Sequence, residues 1–277
     1  MTARLRLVGT SPENMRVPIA EVGRRGRLAL TFVLQNGRTV LEHAYCETPF
    51  KITRVLNSRL PAAHLILMQC TAGLFGGDEV ECSIRITSGA RVVLTQQSAT
   101  RIHPSQDRQA IQNLRLFVES GAELEFNQEP VIPFADSSLK QSTHIEVQPG
   151  GRLVFWEGLM AGRVGRGERW QFKELSSETI LRVNNRPVFL DRYLLMPDGS
   201  ESGPFSMRNN SYFGTGLYVG EQAEVFAARL HDALPEAGID TTSSGVVLTR
   251  VVSATGPEFH RSRETFCRLA SNCRRGQ

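Results

Sequence analysis

The sequence predicts a mainly β protein in which β-hairpins stack on one another, followed by a small layer of strands and helices near the C-terminus. One pattern that occurs three times predicts the stack. In each copy, two runs of alternating apolar residues flank a turn, and the turn glycines are Gly89, Gly121 and Gly150. Successive copies are therefore 32 and 29 residues apart. Repeats of this length usually form stacked supersecondary units.

The strands of each copy have one apolar and one polar face. The first copy shows this alternation in Ile84, Ile86, Val92 and Leu94. A glycine in the turn can adopt the positive φ that a tight hairpin needs. Because one hairpin cannot bury its apolar face alone, successive hairpins must lie against each other.

The chain before the repeats also carries strand patterns. Apolar residues alternate from Arg27 onward, and Asn36-Gly37 is a strong signal for a two-residue hairpin. Residues 44–55 and 64–68 add two short strands, and the second is nearly all apolar, which is typical of a central strand. Residues 1–22 are polar and are expected to be a mobile leader or an edge segment.

The chain after the repeats continues as strands and then changes character. Residues 171–195 resemble strands with a turn at Asn184-Asn185, and Pro197-Asp198-Gly199 is expected to close a further hairpin. Residues 27–205 would thus form the β-stack.

The C-terminal residues 212–273 alternate strands with helices. A helix with one apolar face starts near Ala223 and ends before Pro235. Residues 245–252 form a buried strand, and a last helix starts at Pro257. We expect this mixed layer to cap the stack within a single domain, since an open stack needs its end covered.

Composition excludes several classes of protein. The formal charge of the 277 residues is +4, with basic residues scattered along the chain, whereas nucleic-acid binding needs a clustered basic face. No apolar run approaches the about 18 residues of a transmembrane helix. The N-terminus lacks the apolar stretch of a signal peptide, so a cytoplasmic location is expected.

The five cysteines predict neither a disulfide framework nor a zinc finger. Their number is odd, their spacing is irregular and no C-x-x-C pair occurs. We expect reduced, mostly buried thiols. Cys70 adjoins a glycine-rich turn, which leaves open a contact with a soft metal in transit.

That glycine-rich turn, residues 71–78, is not a phosphate-binding loop, because it lacks the Lys-Ser/Thr pair and no helix pattern follows. Asp78 is expected to accept hydrogen bonds from neighbouring backbone N–H groups, with a ligand contact as the alternative. His103 precedes a proline, which favours an extended surface position. It is interpreted as a solvated loop histidine, with a metal ligand as the alternative.

Carboxylates follow the later repeats. Glu129 and Glu157 stand at similar places in successive copies, so we expect them to lie near each other. Paired carboxylates also suggest a polysaccharide-acting enzyme. The competing interpretation is structural, with Glu157 or Glu168 paired to Arg163 or Arg166.

Five motifs occur in a fixed order and spacing along the chain. They are Arg38-Thr-Val-Leu41, Gly73-Leu-Phe-Gly-Gly-Asp78, Leu94-Thr-Gln-Gln-Ser-Ala-Thr-Arg101, Leu124-Glu-Phe-Asn-Gln-Glu-Pro-Val-Ile-Pro-Phe134, and Glu157 through Gly162-Arg163 to Gly167-Glu168. Together they resemble the urease accessory protein D family, called UreD or UreH, and the resemblance covers about residues 27–270. Ala72 departs from the family, which usually has glycine there, and so does Asn127-Gln128, where an apolar-Pro pair is common.

The resemblance implies a fold similar to a right-handed β-helix with two helices, and a non-catalytic chaperone of nickel insertion. Family members bind apo-urease and accessory protein F and, through F, the GTPase accessory protein G, and are thought to offer nickel an internal route. No tightly bound cofactor is expected, only transient Ni²⁺. An alternative hypothesis is a plain interaction scaffold, which would bind F and urease without offering nickel a route. The isolated protein is also expected to be poorly soluble without F.

A nickel route needs oxygen or imidazole ligands that replace water without holding the ion tightly. We therefore predict a path lined by Asp78, Glu129, Glu157, Glu168 and His103. The structural part of the motifs is predicted to be Gly73, Gly76, Gly77, Gly162, Arg163 and Gly167.

Overall fold

Two β-sheets face each other across the interior of the protein. The structure, a computed structural model, describes residues 23–57, 62–197 and 210–273. The smaller sheet has seven strands and the larger eleven. In chain order the elements are β1 (Arg25–Gln35), β2 (Arg38–Cys46), β3 (Phe50–Ile52), β4 (Leu56–Asn57), β5 (Ala63–Gln69), β6 (Glu79–Ile86), β7 (Arg91–Gln96), β8 (Thr100–Ile102), β9 (Ala110–Val118), β10 (Glu123–Asn127), β11 (Val131–Pro133), β12 (Ser138–Val147), β13 (Arg152–Met160), β14 (Glu174–Val183), β15 (Arg186–Leu195), β16 (Tyr212–Val219), α1 (Ala223–Ala233), β17 (Gly238–Thr241), β18 (Val246–Ser253) and α2 (Gly256–Ser271).

From β5 onward the chain alternates between the sheets and so winds into a β-solenoid of about 4 turns. The strands β5, β7, β10 and β13 pair side by side in parallel in the larger sheet. The strands β6, β9, β12 and β14 do the same in the smaller sheet. The predicted β-helix-like class is thus confirmed.

The glycine turns of the repeats join the two sheets and do not close hairpins, so the local prediction is corrected. The strands on either side of Gly89 are β6 and β7, and β6 pairs with β1 and β9 instead of β7. Gly89 and Gly121 still have the positive φ expected of them, 76° and 69°. A hairpin within one sheet and a turn between two sheets give the same alternating pattern, because every strand buries one face in both cases. The turn swings the strands apart, so that their apolar faces oppose each other across the interior.

True hairpins occur at the edges of the smaller sheet. Asn36 and Gly37 join β1 to β2 with φ of 49° and 75°, and Asn184 and Asn185 join β14 to β15 with φ of 51° and 61°. Positive φ at both central residues is the requirement of a type I′ turn, so both predicted turns are confirmed. The predicted leader and the turn at residues 198–199 lie outside the described residues.

The two C-terminal helices are confirmed, and they pack on the outer face of the larger sheet. Trp156 of β13 contacts Phe259 and Phe266 of α2, and Tyr218 of β16 contacts Phe226 of α1. All five rings are fully buried. The strands β16, β18 and β17 continue the larger sheet beyond β13, so residues 212–273 share this sheet with the stack.

The solenoid interior holds two apolar clusters. One adjoins the glycine turns and includes Leu94, Phe126 and Phe155. The other lies at the opposite end of the strands and includes Leu159 and Trp170. The inward positions between them are polar. Neither described helix is both long and apolar enough to cross a bilayer.

Candidate functional site

An inward-facing row of polar side chains crosses five strands of the larger sheet. In each repeat the row follows the last apolar inward residue, as Gln128 follows Phe126 in β10 and Glu157 follows Phe155 in β13. Backbone pairing aligns these positions between neighbouring strands and continues them into β16 and β18. In strand order the row comprises Gln96, Gln128, Glu157, Thr215 and Arg250.

The smaller sheet presents polar side chains opposite this row. The hydroxyl of Thr179 donates to the Glu157 carboxylate at 3.2 Å, and Arg250 forms an ion pair with Asp191 at 2.7 Å. The remaining polar residues on this side are placed by the strand register, which pairs Gln112 with Gln141, Gln141 with Ser177, and Ser177 with Tyr193. We call the row and the facing residues Gln112, Gln141, Ser177, Thr179, Asp191 and Tyr193 the interior polar layer.

A small cavity opens within this layer at the β5 end. Its volume is about 30 Å³, and its lining includes Cys82, Gln96, Gln112 and Gln128. The Oε1 atom of Gln112 is buried without a hydrogen-bond partner among the described residues. An unpaired buried acceptor is destabilising, so this oxygen is suited to a water molecule or a passing cation.

Glu157 is the titratable centre of the layer. Its pKa is raised to about 7, chiefly because burial disfavours the charged form; the Thr179 hydrogen bond and the Arg250 charge oppose this rise, and the Asp191 carboxylate adds to it. The same environment raises the pKa of Tyr193, through burial and the charge of Glu157. Near neutral pH the Glu157 carboxyl can therefore gain or lose a proton with little free energy, as an exchangeable cation ligand must.

The other predicted residues, except Glu129, gather where the chain returns from the larger to the smaller sheet. Four loops stack there, within residues 70–78, 103–109, 134–137 and 161–173. Backbone hydrogen bonds join them in sequence, such as His103 N to Leu74 O at 2.8 Å and Asp136 N to Gln171 O at 3.0 Å. We call this region the loop corner.

Glycines allow the loop corner to pack this closely. Gly73 has φ of 140°, and a Cβ atom there would lie 2.3 Å from the Arg101 carbonyl oxygen. A Cβ atom at Gly162 would lie 2.4 Å from the Glu168 carbonyl oxygen. The remaining motif glycines, Gly76, Gly77 and Gly167, lie in the same loops.

Asp78 ties the loop corner to the start of β1. It is 7% exposed, and its carboxylate accepts the backbone N–H groups of Phe75 at 2.9 Å and Arg24 at 2.8 Å. The prediction that Asp78 accepts backbone hydrogen bonds is confirmed.

His103 lies in the loop that follows β8 and is half-exposed, which agrees with the predicted loop position. Its ring stacks on Phe75 with centroids 4.2 Å apart and meets the edge of Phe134 at 4.9 Å. Its Nε2 atom lies 3.0 Å from the Ala72 carbonyl oxygen. The loop stack brings aromatic rings together across turns, which the Pro104 signal does not reveal.

Arg163 and Glu168 form the structural pair that the sequence offered as an alternative. The Arg163 guanidinium also lies 4.0 Å over the Phe134 ring, and Glu168 accepts the backbone N–H of Ala135 at 3.2 Å. The hydrogen bond from Arg163 holds the pKa of Glu168 below its usual range, against a smaller opposing effect of burial. On β13, the apolar Leu159 separates this corner from Glu157.

Glu129 and Glu157 were expected to lie near each other as a carboxylate pair, but their side chains lie on opposite faces of the larger sheet. Glu129 faces outward and forms an ion pair with Arg263 of α2 at 2.7 Å, whereas Glu157 faces the interior. The inward neighbour of Glu157 is Gln128. The polysaccharide-enzyme interpretation therefore loses its carboxylate pair.

Of the five residues predicted to line a path, the structure places only Glu157 in the interior polar layer. The rest of that layer was missed, although the sequence carries a signal for it. The inward residue that follows Leu94, Phe126 and Phe155 by two positions is polar in all three repeats. In the part of the chain that the structure describes, no three His, Cys, Asp or Glu side chains are placed to hold a metal ion together.

Comparison with known proteins supplies the family. The sequence matches the model of the UreD urease accessory protein over residues 24–276. The chain belongs to this family. Membership of this family of urease accessory proteins gives the chain a role in urease maturation.

Named relatives match most of the chain. The urease accessory protein UreD of Deinococcus radiodurans is 32% identical over 247 residues, covering 87% of this chain and 88% of that protein. UreD of Mycolicibacterium gilvum is 30% identical over 86% of this chain and 90% of its own. The protein named UreH in Helicobacter acinonychis is 27% identical over 85% of this chain and 91% of its own.

Proposed function

We propose that this UreD-family protein is a non-catalytic chaperone that delivers nickel to apo-urease through its interior polar layer. In this proposal it binds apo-urease and accessory protein F, and through F the GTPase accessory protein G, in the cytoplasm. Nickel is its cargo, with no tightly bound cofactor. The observation that carries the proposal is the unbroken polar row through the middle of an otherwise apolar solenoid.

The energetics of burial favour a functional reason for that row. Polar side chains inside a protein are destabilising unless each finds partners, and leucine or valine at these inward positions would extend the apolar clusters instead. The row runs through five neighbouring strands and ends at the Arg250–Asp191 ion pair, whose side chains are 29% and 18% exposed. A route along the stack can therefore open to solvent at this end.

The ligand chemistry fits transit better than storage. Amide and hydroxyl oxygens bind a first-row divalent cation weakly, and a site that conducts must let its ion leave. Glu157 adds a carboxylate that exchanges a proton for a cation near neutral pH. The path proposed here uses Glu157 and Asp191, whereas Asp78, Glu129, Glu168 and His103 lie outside the interior polar layer.

The test uses the native host with this gene deleted and then restored. Urease purified from the deletion strain is expected to have assembled subunits that are poor in nickel and inactive, and the wild-type gene is expected to restore both properties. Urease that is fully metallated without the gene would overturn the proposed role.

Variants separate a route from a plain scaffold. Gln128→Leu and Glu157→Leu replace polar inward groups by apolar ones of similar size, so we expect low nickel content in urease with F and urease still bound. Glu129→Gln on the outer face of the same sheet is the matched control and should deliver nickel normally. Full delivery by both leucine variants would leave only the scaffold.

A further inference from the structure

The fold brings three of the five cysteines together at the β2 and β5 end of the solenoid. Leu28 of β1 is the register partner of Cys46 on one side and of Cys82 on the other. Cys70 directly follows β5, and its backbone N–H donates to the Pro49 carbonyl at 2.8 Å. These residues are far apart in sequence, and only the winding of the chain makes them neighbours.

Cys46 and Cys70 are held against the same short turn. The Cys46 Sγ atom lies 3.0 Å from the Phe50 carbonyl oxygen, and Phe50 pairs with Gln69, the residue before Cys70. Burial raises the pKa of Cys46, and the charge of Cys70 raises it further. Cys46 and Cys70 are thus each hydrogen-bonded to one of two adjacent residues, Phe50 and Pro49, and both cysteines are exposed to solvent.

Cys82 connects this pair to the interior. Its side chain lines the cavity that also reaches Gln96, Gln112 and Gln128 of the interior polar layer, and Phe50 and Met68 line the same cavity. Burial raises the pKa of Cys82 to about 12, with a smaller contribution from Cys46. A sulfur-rich surface site thus adjoins the end of the proposed route opposite the Arg250–Asp191 pair.

We infer that Cys46 and Cys70 form a two-thiol port that captures a thiophilic divalent transition-metal cation before it enters the interior polar layer. Each thiol releases its proton to solvent as its sulfur binds the cation, and the cation removes the repulsion between the two thiolates. Two protein ligands leave the remaining coordination positions to water or to a donor protein, which suits release inward. The assignment of nickel as the cargo of this port rests on the proposed function, whereas the thiol pair itself does not.

The direct test follows alkylation of the thiols in the reduced full-length chain, with Ni²⁺ as the probe. At free Ni²⁺ of about ten times its dissociation constant, the alkylation rates of Cys46 and Cys70 should fall together by about tenfold, because only unbound thiols react. Cys46→Ser should abolish the protection of Cys70, and Cys70→Ser that of Cys46. Cys267→Ser is the control, since Cys267 lies on α2 and donates to Asn127 Oδ1 at 2.9 Å, and it should change neither rate.

Outcomes distinguish the port from the proposed function. Protection of Cys70 that survives Cys46→Ser, or the absence of protection at both thiols, would overturn the port. In the deletion strain, Cys46→Ser/Cys70→Ser should lower the nickel content of urease. Normal delivery by this double variant together with failure by Glu157→Leu would reject the port and keep the route, whereas nickel-replete urease in the deletion strain itself would reject the proposed function.

Discussion

Glu157 shows how one side chain can set the properties of the interior polar layer. Its side chain faces the solenoid interior, accepts a hydrogen bond from Thr179, and lies near the negative charge of Asp191 and the positive charge of Arg250. Burial dominates over these partners and keeps the carboxyl partly protonated at neutral pH. The charge of the layer therefore changes within the physiological range.

Replacing Glu157 should change the pH dependence of stability. The native pKa of about 7 lies above the value of 4.5 for a glutamate in water, so between these values the native state binds more protons than the unfolded state. Protonation of Glu157 therefore adds up to about 3 kcal/mol to the free energy of unfolding. This contribution is fully present below the unfolded-state pKa and is lost as the pH rises through the native-state pKa. Glu157→Gln cannot titrate and should lose this slope, which urea unfolding at a series of pH values would measure.

Glu129→Gln is the control for this experiment, because it removes a carboxylate from the outer face of the same sheet and leaves Glu157 in place. It should retain the slope. An unchanged slope in Glu157→Gln would show that Glu157 does not titrate between these values.

The junction of α2 with the larger sheet depends on two glycines of β16. A Cβ atom at Gly216 would lie 2.7 Å from the Phe266 ring, and one at Gly214 would lie 2.7 Å from the Trp156 ring. These glycines let the helix rings contact the strand backbone. The Phe259 and Phe266 rings thus occupy the space that side chains at positions 214 and 216 would otherwise fill.

Gly216→Ala should destabilise the protein by about 1–3 kcal/mol, because the added methyl group overpacks a buried aromatic contact. Unfolding in urea, followed by the fluorescence of the tryptophans, would measure the change. Gly165→Ala is the control, since a Cβ atom there has nothing within 4 Å. Equal stability of the two variants would contradict the tight packing of α2 on β16.

The two sheets are covered unequally in the described molecule. The helices pack on the outer face of the larger sheet. At one edge of the smaller sheet lies β15, a strand whose outer face carries exposed apolar side chains. Leu190, Leu194 and Met196 are 59%, 57% and 67% exposed. Leu190 and Leu194 share one face, since alternate residues of a strand do. An exposed apolar edge strand favours association with other chains.

Changing this edge should reduce self-association of the isolated chain. The triple variant Leu190→Thr, Leu194→Thr and Met196→Thr keeps good strand formers while removing apolar surface. We expect it to scatter less light than the wild type as concentration rises. The control is Val225→Thr with Val252→Thr, two side chains that are each 46% exposed elsewhere. A wild-type chain that is monodisperse without a partner would contradict the expectation of poor solubility.

Local patterns predicted much of this architecture. The turns at Asn36-Gly37 and Asn184-Asn185, the helices near Ala223 and Pro257, and the three-copy repeat all depend on near neighbours in sequence. The bond from Phe75 to Asp78 and the pairing of Arg163 with Glu168 were also within reach, because both join residues that are close in sequence. The bond from Arg24 to Asp78 joins residues 54 positions apart and required the tertiary structure.

The positions of the candidate site residues required the tertiary structure. Side chains alternate between faces along a strand, so an error of one residue moves a side chain from the interior to the surface. Aligning the repeats by their carboxylates placed Glu129 beside Glu157, whereas the strand register of the structure places Gln128 beside Glu157. Periodicity does not say which register the stacked strands adopt.

The sequence by itself thus determined the repeat, its turn residues, the alternation of faces and the family. Only the tertiary structure decided that the glycine turns connect opposing sheets, that one polar row crosses the interior and that Cys46, Cys70 and Cys82 meet at one end. The physical reason is that these features depend on parallel pairing between strands about 30 residues apart, and such contacts form through the packing of the whole stack.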